Sequence, residues 1–377
     1  MPFDPEDNTF LLAGPVKMHP RVLRAMSVPA VAHRDPGFGA VNKELRRLLQ
    51  LVFQTQGDVA LVSGSGTAAM DAAAVSLLKK GEKVVALANG KFGDRFAKLA
   101  AMYGDATVLN AAWGQPVPRD DVERALRTVK PKALFLTHNE SSVGFTHPLK
   151  DLAALCREHD VLCVADCITS VGGMDVPVDA WGVDVAVVGS QKCLGAPAGL
   201  SAVAVSERAR AKMHKDGGFY LNLPRWLDKF RDGDTPFTPA IPLHLAMHEA
   251  LKILEAEGLQ ARIERVHAQA DATRAAFEAM GLELFPARAY ASDTVTAVRA
   301  PQGLDEAKFR KALKEKHGVV IAGGQDEVKG KIFRIGHMGT VSTAEIAGAF
   351  VPIETELVAN GASVKRGAWL DAFQSKA

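Results

Sequence analysis

Apolar and polar positions alternate along the first two thirds of the chain in a regular order of amphipathic helices and short strands. Between residues 38 and 53 the apolar side chains recur every three or four positions, which predicts a helix that is buried on one face. Short apolar runs then follow, separated by helical patterns and turns, at residues 59–62, 83–88, 106–111, 133–137, 161–165 and 185–188. This alternation predicts an α/β fold with a mostly parallel, doubly wound sheet and helices on both of its faces.

The pattern changes after residue 238, where long helices replace the alternation and shorter mixed elements come after them. Helices are predicted at 244–257 and 259–280, followed by elements at 281–285, 295–298, 309–316, 319–322 and 331–339. A chain of 377 residues exceeds the size of one hydrophobic core, so a second, smaller α+β domain is expected. We predict an N-terminal arm at residues 1–15, a large domain at 16–258 and a small C-terminal domain at 259–377.

Composition excludes several classes of function. The net charge is only +2, from 45 basic and 43 acidic residues, and no basic block suggests binding to nucleic acid. No apolar run reaches the roughly 18 residues of a transmembrane helix, and the acidic first residues are unlike a secretory signal. The four cysteines show neither a disulfide framework nor zinc-ligand spacing. We therefore expect buried thiols, no metal site, no membrane partner and a cytoplasmic location.

Ser65, Gly66 and Thr67 form a turn between the apolar run at 59–62 and an alanine-rich helix. The first N–H groups of such a helix have no partner within the helix, so they can bind a phosphate. The turn does not match the GxGxxG of dinucleotide-binding proteins and lacks the lysine of a P-loop. The alternative is an ordinary turn in which serine or threonine caps the helix.

Other polar or aromatic residues, Phe92, Ser141, Asp166 and Lys192, also follow strand ends, and the ends of parallel strands share one edge of a sheet. Partial burial of Lys192 would favour its free amine, which can form an imine with an aldehyde. A carboxylate such as Asp166 can keep a pyridine nitrogen protonated. With the phosphate turn, this set predicts chemistry on pyridoxal phosphate (PLP). Taken singly, the lysine could simply end a strand and the aspartate could cap a turn.

Seven motifs extend the argument beyond single residues: SGSGTAAMDAA at 63–73, NGKFGDRF at 89–96, LTHNESSVG at 136–144, VADCITSVGG at 164–173, GSQKCLGAPAG at 189–199, TPFTPAIP at 235–242 and FRIGHMG at 333–339. On these motifs the chain resembles the class V branch of fold-type I PLP enzymes. Within it, the chain is similar to alanine–glyoxylate and serine–pyruvate aminotransferases and to archaeal broad-specificity aspartate aminotransferases. The resemblance extends from about residue 11 to 339.

The resemblance implies a role for each matching residue. Lys192 would form the Schiff base with the cofactor and move the substrate proton, and Asp166 would pair with the pyridinium nitrogen. The other cofactor contacts would be Ser65, Gly66, Thr67 and Gln191 at the phosphate, Phe92 and Ile168 on the two faces of the ring, and Ser141 near the ring oxygen. Many relatives have tryptophan in place of Phe92, which predicts weaker stacking here without loss of activity.

The resemblance also implies a homodimer with composite active sites, because Thr238 would reach the phosphate bound by the neighbouring subunit. Some relatives carry a tyrosine at the position of Thr235. Arg334 would bind the α-carboxylate of the substrate, since a guanidinium matches a carboxylate in shape and charge, and Gly14 would close the other side. Arg34 and His33 either read a substrate side chain or, for Arg34, form an ion pair at the subunit interface. For His337 a structural role is predicted.

Together these observations predict a PLP-dependent aminotransferase. It would move an amino group from alanine, serine or aspartate to glyoxylate, pyruvate or 2-oxoglutarate in a ping-pong cycle. One alternative is a PLP-dependent lyase such as a cysteine desulfurase, but that reaction needs a cysteine in a mobile loop and none follows Cys193. The other is a dinucleotide-dependent oxidoreductase or a binding protein without PLP, although the GxGxxG and an acidic ribose partner are missing.

Overall fold

The computed structural model describes residues 8–29 and 31–377, so the first seven residues of the predicted arm lie outside it. The strands are β1 (Thr9–Phe10), β2 (Asp58–Ser63), β3 (Lys83–Ala88), β4 (Asp105–Asn110), β5 (Ala133–Thr137), β6 (Asn139–Glu140), β7 (Phe145–Thr146), β8 (Leu162–Asp166), β9 (Val185–Gly189), β10 (Leu200–Val205), β11 (Val295–Arg299), β12 (Val319–Val320), β13 (Ala322–Gly323) and β14 (Ile332–Gly336). The helices are α1 (Pro20–Ala25), α2 (Pro36–Phe53), α3 (Gly66–Leu77), α4 (Lys91–Tyr103), α5 (Arg119–Val129), α6 (Leu149–Glu158), α7 (Val178–Trp181), α8 (Glu207–Lys212), α9 (Leu223–Arg231), α10 (Ile241–Glu257), α11 (Leu259–Ala279), α12 (Glu306–His317), α13 (Thr343–Ala359) and α14 (Ala368–Gln374).

The central sheet has seven strands in the order β2-β10-β9-β8-β5-β3-β4. Strands β9, β8, β5, β3 and β4 run parallel, whereas β10 is antiparallel to both of its neighbours. The prediction of a mostly parallel sheet in an α/β fold is therefore confirmed. The register pairs Asp166 with Thr137 of β5 and with Val187 of β9, so the aspartate ends a strand in the middle of the sheet. The carboxyl ends of the parallel strands form one common edge.

Helix α2 illustrates how local sequence sets the element boundaries. Asp35 is its N-cap and accepts a hydrogen bond from the Gly37 N–H at 2.7 Å, and Pro36 occupies the first helical position. The helix ends at Gln54, which adopts the left-handed conformation with φ of 52°. The stripe at Leu45, Leu48, Leu49 and Val52 is buried against the sheet. The predicted helix at 38–53 thus begins two residues earlier in the structure.

The C-terminal part has its own three-stranded antiparallel sheet, in the order β11-β14-β13. Its core is rich in aromatic side chains, including Phe277, Phe309, Phe333 and Phe350. The predicted element at 281–285 is not a strand, because only Leu284 pairs, in an isolated bridge to Val298. The α+β character predicted after residue 258 is otherwise present.

Two further features bear on the domain organisation. The short strand β1 pairs in parallel with β12 in a separate two-stranded sheet, so the described part of the N-terminal arm is attached to the C-terminal part. Helix α10 contributes to a core of the central sheet, whereas α11 contributes to the C-terminal core, and Gly258 separates the two helices. The domain boundaries at residues 15 and 258 stay a prediction. In the part of the chain that the structure describes, no helix is long and apolar enough to cross a membrane.

Candidate active site

A cavity of about 130 Å³ lies at the edge of the sheet where the parallel strands end. The start of α3, the first turn of α4 and the segments after β5, β8 and β9 form its walls. Nine residues singled out from the sequence line it, namely Ser65, Gly66, Thr67, Phe92, Ser141, Asp166, Ile168, Gln191 and Lys192. Three more residues, which sequence reasoning missed, complete the lining: Arg95, Asn139 and Thr169.

The first turn of α3 presents unpaired donors at this cavity. Ser65 is the N-cap residue, yet its side chain makes no capping hydrogen bond. Within the described residues, no acceptor is hydrogen-bonded to the backbone N–H groups of Gly66 and Thr67. A Cβ atom at Gly66 would come within 2.5 Å of Ile168 Cδ1, so a larger residue at this position would displace the Ile168 side chain. Gln191 lines the cavity beside this turn, and its side-chain amide can donate N–H groups. The turn therefore has the chemistry of an anion site.

Lys192 follows β9, and its amine lies at the wall formed by the N-terminal arm. Its Nζ donates a hydrogen bond to the Ala13 carbonyl oxygen at 2.6 Å. A Cβ atom at Gly14 would come within 2.3 Å of Lys192 Cδ, and Gly14 has a φ of +91°. The structure thus places Gly14 against the lysine. Burial lowers the pKa of Lys192 to about 8, and the charge of Arg334 acts in the same direction. About a tenth of the amine is therefore free at pH 7, far more than for a lysine with the ordinary pKa of about 10.5.

Asp166 ends β8 at the floor of the same cavity. Its Oδ1 accepts a hydrogen bond from the Ile168 N–H at 2.9 Å, and Thr137 Oγ1 lies 3.5 Å from Oδ2. Burial raises the pKa of Asp166 to about 7, and the charges of Arg95 and Lys192 only partly offset that effect. A carboxyl group with this pKa is poised to hold a proton in a hydrogen bond with a ring nitrogen.

The first turn of α4 carries both Phe92 and Arg95. Arg95 Nη1 donates to Thr67 Oγ1 at 3.0 Å, and the guanidinium carbon lies 5.0 Å from the centre of the Phe92 ring. The N–H groups of Phe92 and Gly93 donate to Glu140 Oε2 at 3.0 and 2.9 Å. Burial raises the pKa of Glu140. This buried carboxyl group fixes the turn that bears the aromatic ring.

Asn139 and Thr169 join the ends of β5 and β8. Asn139 Nδ2 donates to Thr169 Oγ1 and to Thr294 Oγ1, both at 2.8 Å. Thr169 Oγ1 in turn donates to the Asn139 carbonyl oxygen at 2.8 Å. The network holds the segment around Ser141 next to the turn that follows Asp166. A signal was available for Asn139 and Glu140, because both stand in the motif HNESSVG directly after β5.

Arg334 lies on β14, and it is 5% exposed. Its Nε and Nη2 donate to the Gly323 carbonyl oxygen at 3.0 and 2.7 Å, and Nη1 donates to the Ser141 carbonyl oxygen at 2.5 Å. Burial lowers the pKa of Arg334 to about 10, so the group stays cationic at neutral pH. Arg334 does not itself line the cavity, but Ser141, to which it is bonded, does.

The sequence of this chain is similar to those of known aminotransferases. The family model for class V aminotransferases matches residues 24–343. The chain belongs to this family. It is 38% identical over 371 residues to an uncharacterized aminotransferase of Methanocaldococcus jannaschii, covering 97% of this chain and 96% of the relative. The serine–glyoxylate aminotransferase of Methylorubrum extorquens is 34% identical over 386 residues, covering 98% and 96% of the two chains.

A solved structure gives the same answer for the fold. The ureidoglycine–glyoxylate aminotransferase of Bacillus subtilis superimposes with a TM-score of 0.92 at 31% identity, covering 98% of this chain and 97% of that one. The predicted resemblance, the fold-type I architecture and the enzyme class are therefore confirmed. This class V aminotransferase belongs to a family whose members use PLP.

Four further residues singled out from the sequence, Thr238, Arg34, His33 and His337, lie away from the cavity. Thr238 is exposed on the segment between α9 and α10. Arg34 forms an ion pair with Asp234 and donates to the Thr235 carbonyl oxygen at 3.0 Å, and with His33 it lines a separate surface cavity of about 370 Å³. Within this chain, Arg34 therefore does not contact the cofactor cavity. His337 is buried with Nδ1 3.1 Å from the Asp293 carbonyl oxygen, in keeping with a structural role.

Proposed function

We propose that this enzyme is a PLP-dependent aminotransferase that transfers the amino group of a small L-amino acid to a short 2-oxo acid. The observation that carries the proposal is the pair of buried groups in one cavity, a lysine with a pKa of about 8 and an aspartate with a pKa of about 7. Both lie beside a helix start with unpaired donors. Bound PLP supplies an electron sink that makes the Cα proton of an amino acid acidic.

The residues present fit this cofactor. The donors at Ser65, Gly66 and Thr67 suit a phosphate, and the side-chain amide of Gln191, which can donate N–H groups, lines the same cavity. Phe92 and Ile168 are apolar side chains in the same cavity and suit the two faces of a flat ring. The Asp166 carboxyl suits a ring nitrogen. Ser141 provides a further polar group for the ring oxygen.

The chain's own residues account for the proton transfers. Lys192 takes the Cα proton on its Nζ and returns it, because its lowered pKa leaves a free amine available. The Asp166 carboxylate would keep a proton on the ring nitrogen by accepting its hydrogen bond. Arg334 holds the α-carboxylate of the amino acid. Ala13 and Gly14 of the arm close the lysine side of the site and exclude water there.

The surroundings of Arg34 favour small substrates. Its guanidinium is engaged by Asp234 and lies outside the cavity, so it leaves no side-chain carboxylate reader at that position within this chain. Alanine or serine is therefore the proposed amino donor, ahead of aspartate. Glyoxylate is the proposed acceptor, ahead of pyruvate and 2-oxoglutarate, because two of the relatives described above are named for glyoxylate.

A homodimer with composite sites forms part of the proposal. Thr238 is exposed, so its hydroxyl is available to the phosphate held by a second copy of the chain. The lyase alternative finds no support. The four cysteines are all buried, and burial raises the pKa of Cys193, next to Lys192, to about 12, which disfavours a thiolate.

Absorbance spectroscopy of the purified protein tests the proposal. We expect a visible band from bound cofactor that disappears on addition of L-alanine or L-serine with glyoxylate omitted, and that returns when glyoxylate is added. Lys192→Ala should lack this band, whereas Lys98→Ala, outside the cavity, should keep it. A wild-type protein that remains colourless in the presence of added PLP would refute the proposal.

A further inference from the structure

Arg95 is a cation of the cavity that has few partners. Its hydrogen bond to described residues is the one from Nη1 to Thr67 Oγ1, and its flat face lies over Phe92. No carboxylate of residues 8–29 or 31–377 lies within ion-pair distance of it. A guanidinium carries five N–H donors. Most of the donors of Arg95 are therefore available to a ligand.

The rest of the proposed phosphate site is electrically neutral. Ser65, Gly66 and Thr67 offer hydroxyl and backbone donors, and Gln191 offers an amide. Lys192 is hydrogen-bonded to Ala13, and its proposed role is to form the Schiff base with the cofactor aldehyde, so it is not available to the phosphate. A phosphate monoester brings a charge of roughly −1.5 to −2 at pH 7. In a partly buried cavity such a charge calls for a cation, and a guanidinium matches its geometry.

We propose that Arg95 binds the cofactor phosphate directly and is the charged ligand that the α3 turn lacks. The inference rests on the proposed function, since it requires a phosphorylated cofactor in the cavity. Its bond to Thr67 places Nη1 at the turn whose donors suit a phosphate. A substrate carboxylate is the other anion that Arg95 could take. That role falls to Arg334, which is joined to the segment at Ser141.

The experiment compares PLP with pyridoxal, which has the same ring and aldehyde but no phosphate. Cofactor-free wild-type protein, Arg95→Met and Arg95→Lys are each titrated with both compounds, and the dissociation constants are read from absorbance. For PLP we expect Arg95→Met to bind about 10- to 100-fold more weakly, as for the loss of a charged hydrogen bond. For pyridoxal the same variant should equal wild type. Arg95→Lys should fall between the two for PLP.

Lys98→Met is the matched control, because Lys98 lies one turn along α4 and borders a surface cavity beside Arg95 without lining the cofactor cavity. It should leave both constants unchanged. Equal weakening of PLP and pyridoxal by Arg95→Met would overturn the inference, because it would mean that Arg95 only supports Phe92 or Thr67. An unchanged PLP constant with a raised KM for the 2-oxo acid would overturn it in favour of a carboxylate. Failure of the wild type to bind either compound would refute the proposed function itself.

Discussion

In the active site burial favours the neutral forms of the ionisable groups, whereas in a charge cluster of the C-terminal part the buried Glu356 is held in its charged form by the partly exposed His317 and the exposed Lys316. In the site, burial moves the pKa of Lys192 down to about 8 and that of Asp166 up to about 7, so each group is pushed towards its neutral form. In the cluster, Glu356 accepts hydrogen bonds from His317 at 2.9 Å and Lys316 at 3.1 Å, and these partners lower its pKa. The charged forms of Lys192 and Asp166 are poorly compensated by partners in the active site, whereas the charge of Glu356 is compensated by its two neighbours.

The difference indicates that the active site lowers the stability of the folded protein in order to keep groups that are needed for catalysis. A buried group whose charged form lacks a partner lowers the free energy of unfolding. A buried carboxylate that has two cationic partners is retained at little cost. If this comparison is right, changes at Lys192 and Asp166 should reduce catalysis and stabilise the cofactor-free protein, whereas a change at Glu356 should destabilise the protein and leave catalysis unchanged.

The largest effect is expected for Lys192→Met. Loss of the base should lower kcat by about 10²–10⁴-fold or more. The same change should raise the free energy of unfolding of the cofactor-free protein by about 1–3 kcal/mol at pH 7. In the unfolded chain this lysine titrates near 10.5, so the unfolded chain binds more protons between pH 8 and 10.5. The stabilisation should be complete below pH 8 and disappear as the pH rises through that window.

Denaturant unfolding of both proteins at several pH values provides the measurement. Lys98→Met, a lysine outside the cavity, serves as the control and should show neither effect. A Lys192→Met protein that is inactive and also less stable than wild type would contradict the comparison.

Arg334→Gln is expected to have the next largest effect. It removes the cationic partner of the substrate carboxylate, so kcat/KM for the amino donor should fall about 10- to 100-fold. Most of the loss should be in KM. The dissociation constant of PLP should stay at the wild-type value, because Arg334 does not line the cofactor cavity. The exposed Arg299 on β11, changed to Gln, is the control. Equal losses in PLP binding would show that Arg334 supports the fold of the site instead.

Asp166→Asn tests the second ionisable group of the site through the pH dependence of protein stability. The carboxyl group titrates near 3.8 in the unfolded chain and near 7 in the folded protein, so the folded protein binds more protons between these values. Stability of the wild type should therefore fall as the pH rises from 4 to 7. The variant should lack this loss and be more stable by about 1–3 kcal/mol above pH 7 in the cofactor-free state. Parallel pH curves for the two proteins would count against a raised pKa.

Glu356→Gln should have the smallest effect and the opposite sign. The lowered pKa means that the ionised carboxylate stabilises the fold at neutral pH, and that this contribution is lost as the pH falls through the folded-state value. The variant should lose about 1–2 kcal/mol of unfolding free energy at pH 7. Its kcat and KM should equal those of wild type, since Glu356 lies outside the cavity. Altered kinetics in this variant would contradict the view that the Glu356 cluster stabilises the fold without contributing to the active site.

Much of the site follows from one rule of α/β folds. Because the ends of parallel strands share an edge, residues spread from Ser65 to Lys192 could be brought together on sequence alone. Arg95 was missed because it reaches the cavity from one turn inside a helix, beyond any strand end. Glu140 stands in the motif after β5, but its role was missed because its partners are the backbone N–H groups of a distant helix start, and no residue type identifies those partners in the sequence. The choice of Asp234 as the partner of Arg34 likewise depends on tertiary packing.

The contacts of the N-terminal arm also have a consequence for biosynthesis. The Thr9 N–H donates a hydrogen bond to the Gly318 carbonyl oxygen, and the Gly336 N–H donates to the Leu11 carbonyl oxygen. The Ala13 carbonyl oxygen accepts a hydrogen bond from Lys192. During translation the arm is synthesised long before the strands that pair with it. The central sheet can therefore form before the arm is fixed beside Lys192. Long-range contacts of this kind close late. Ribosome-bound chains that end before residue 318 should therefore lack the finished wall beside the lysine, and full activity should require the segment from residue 318 onward.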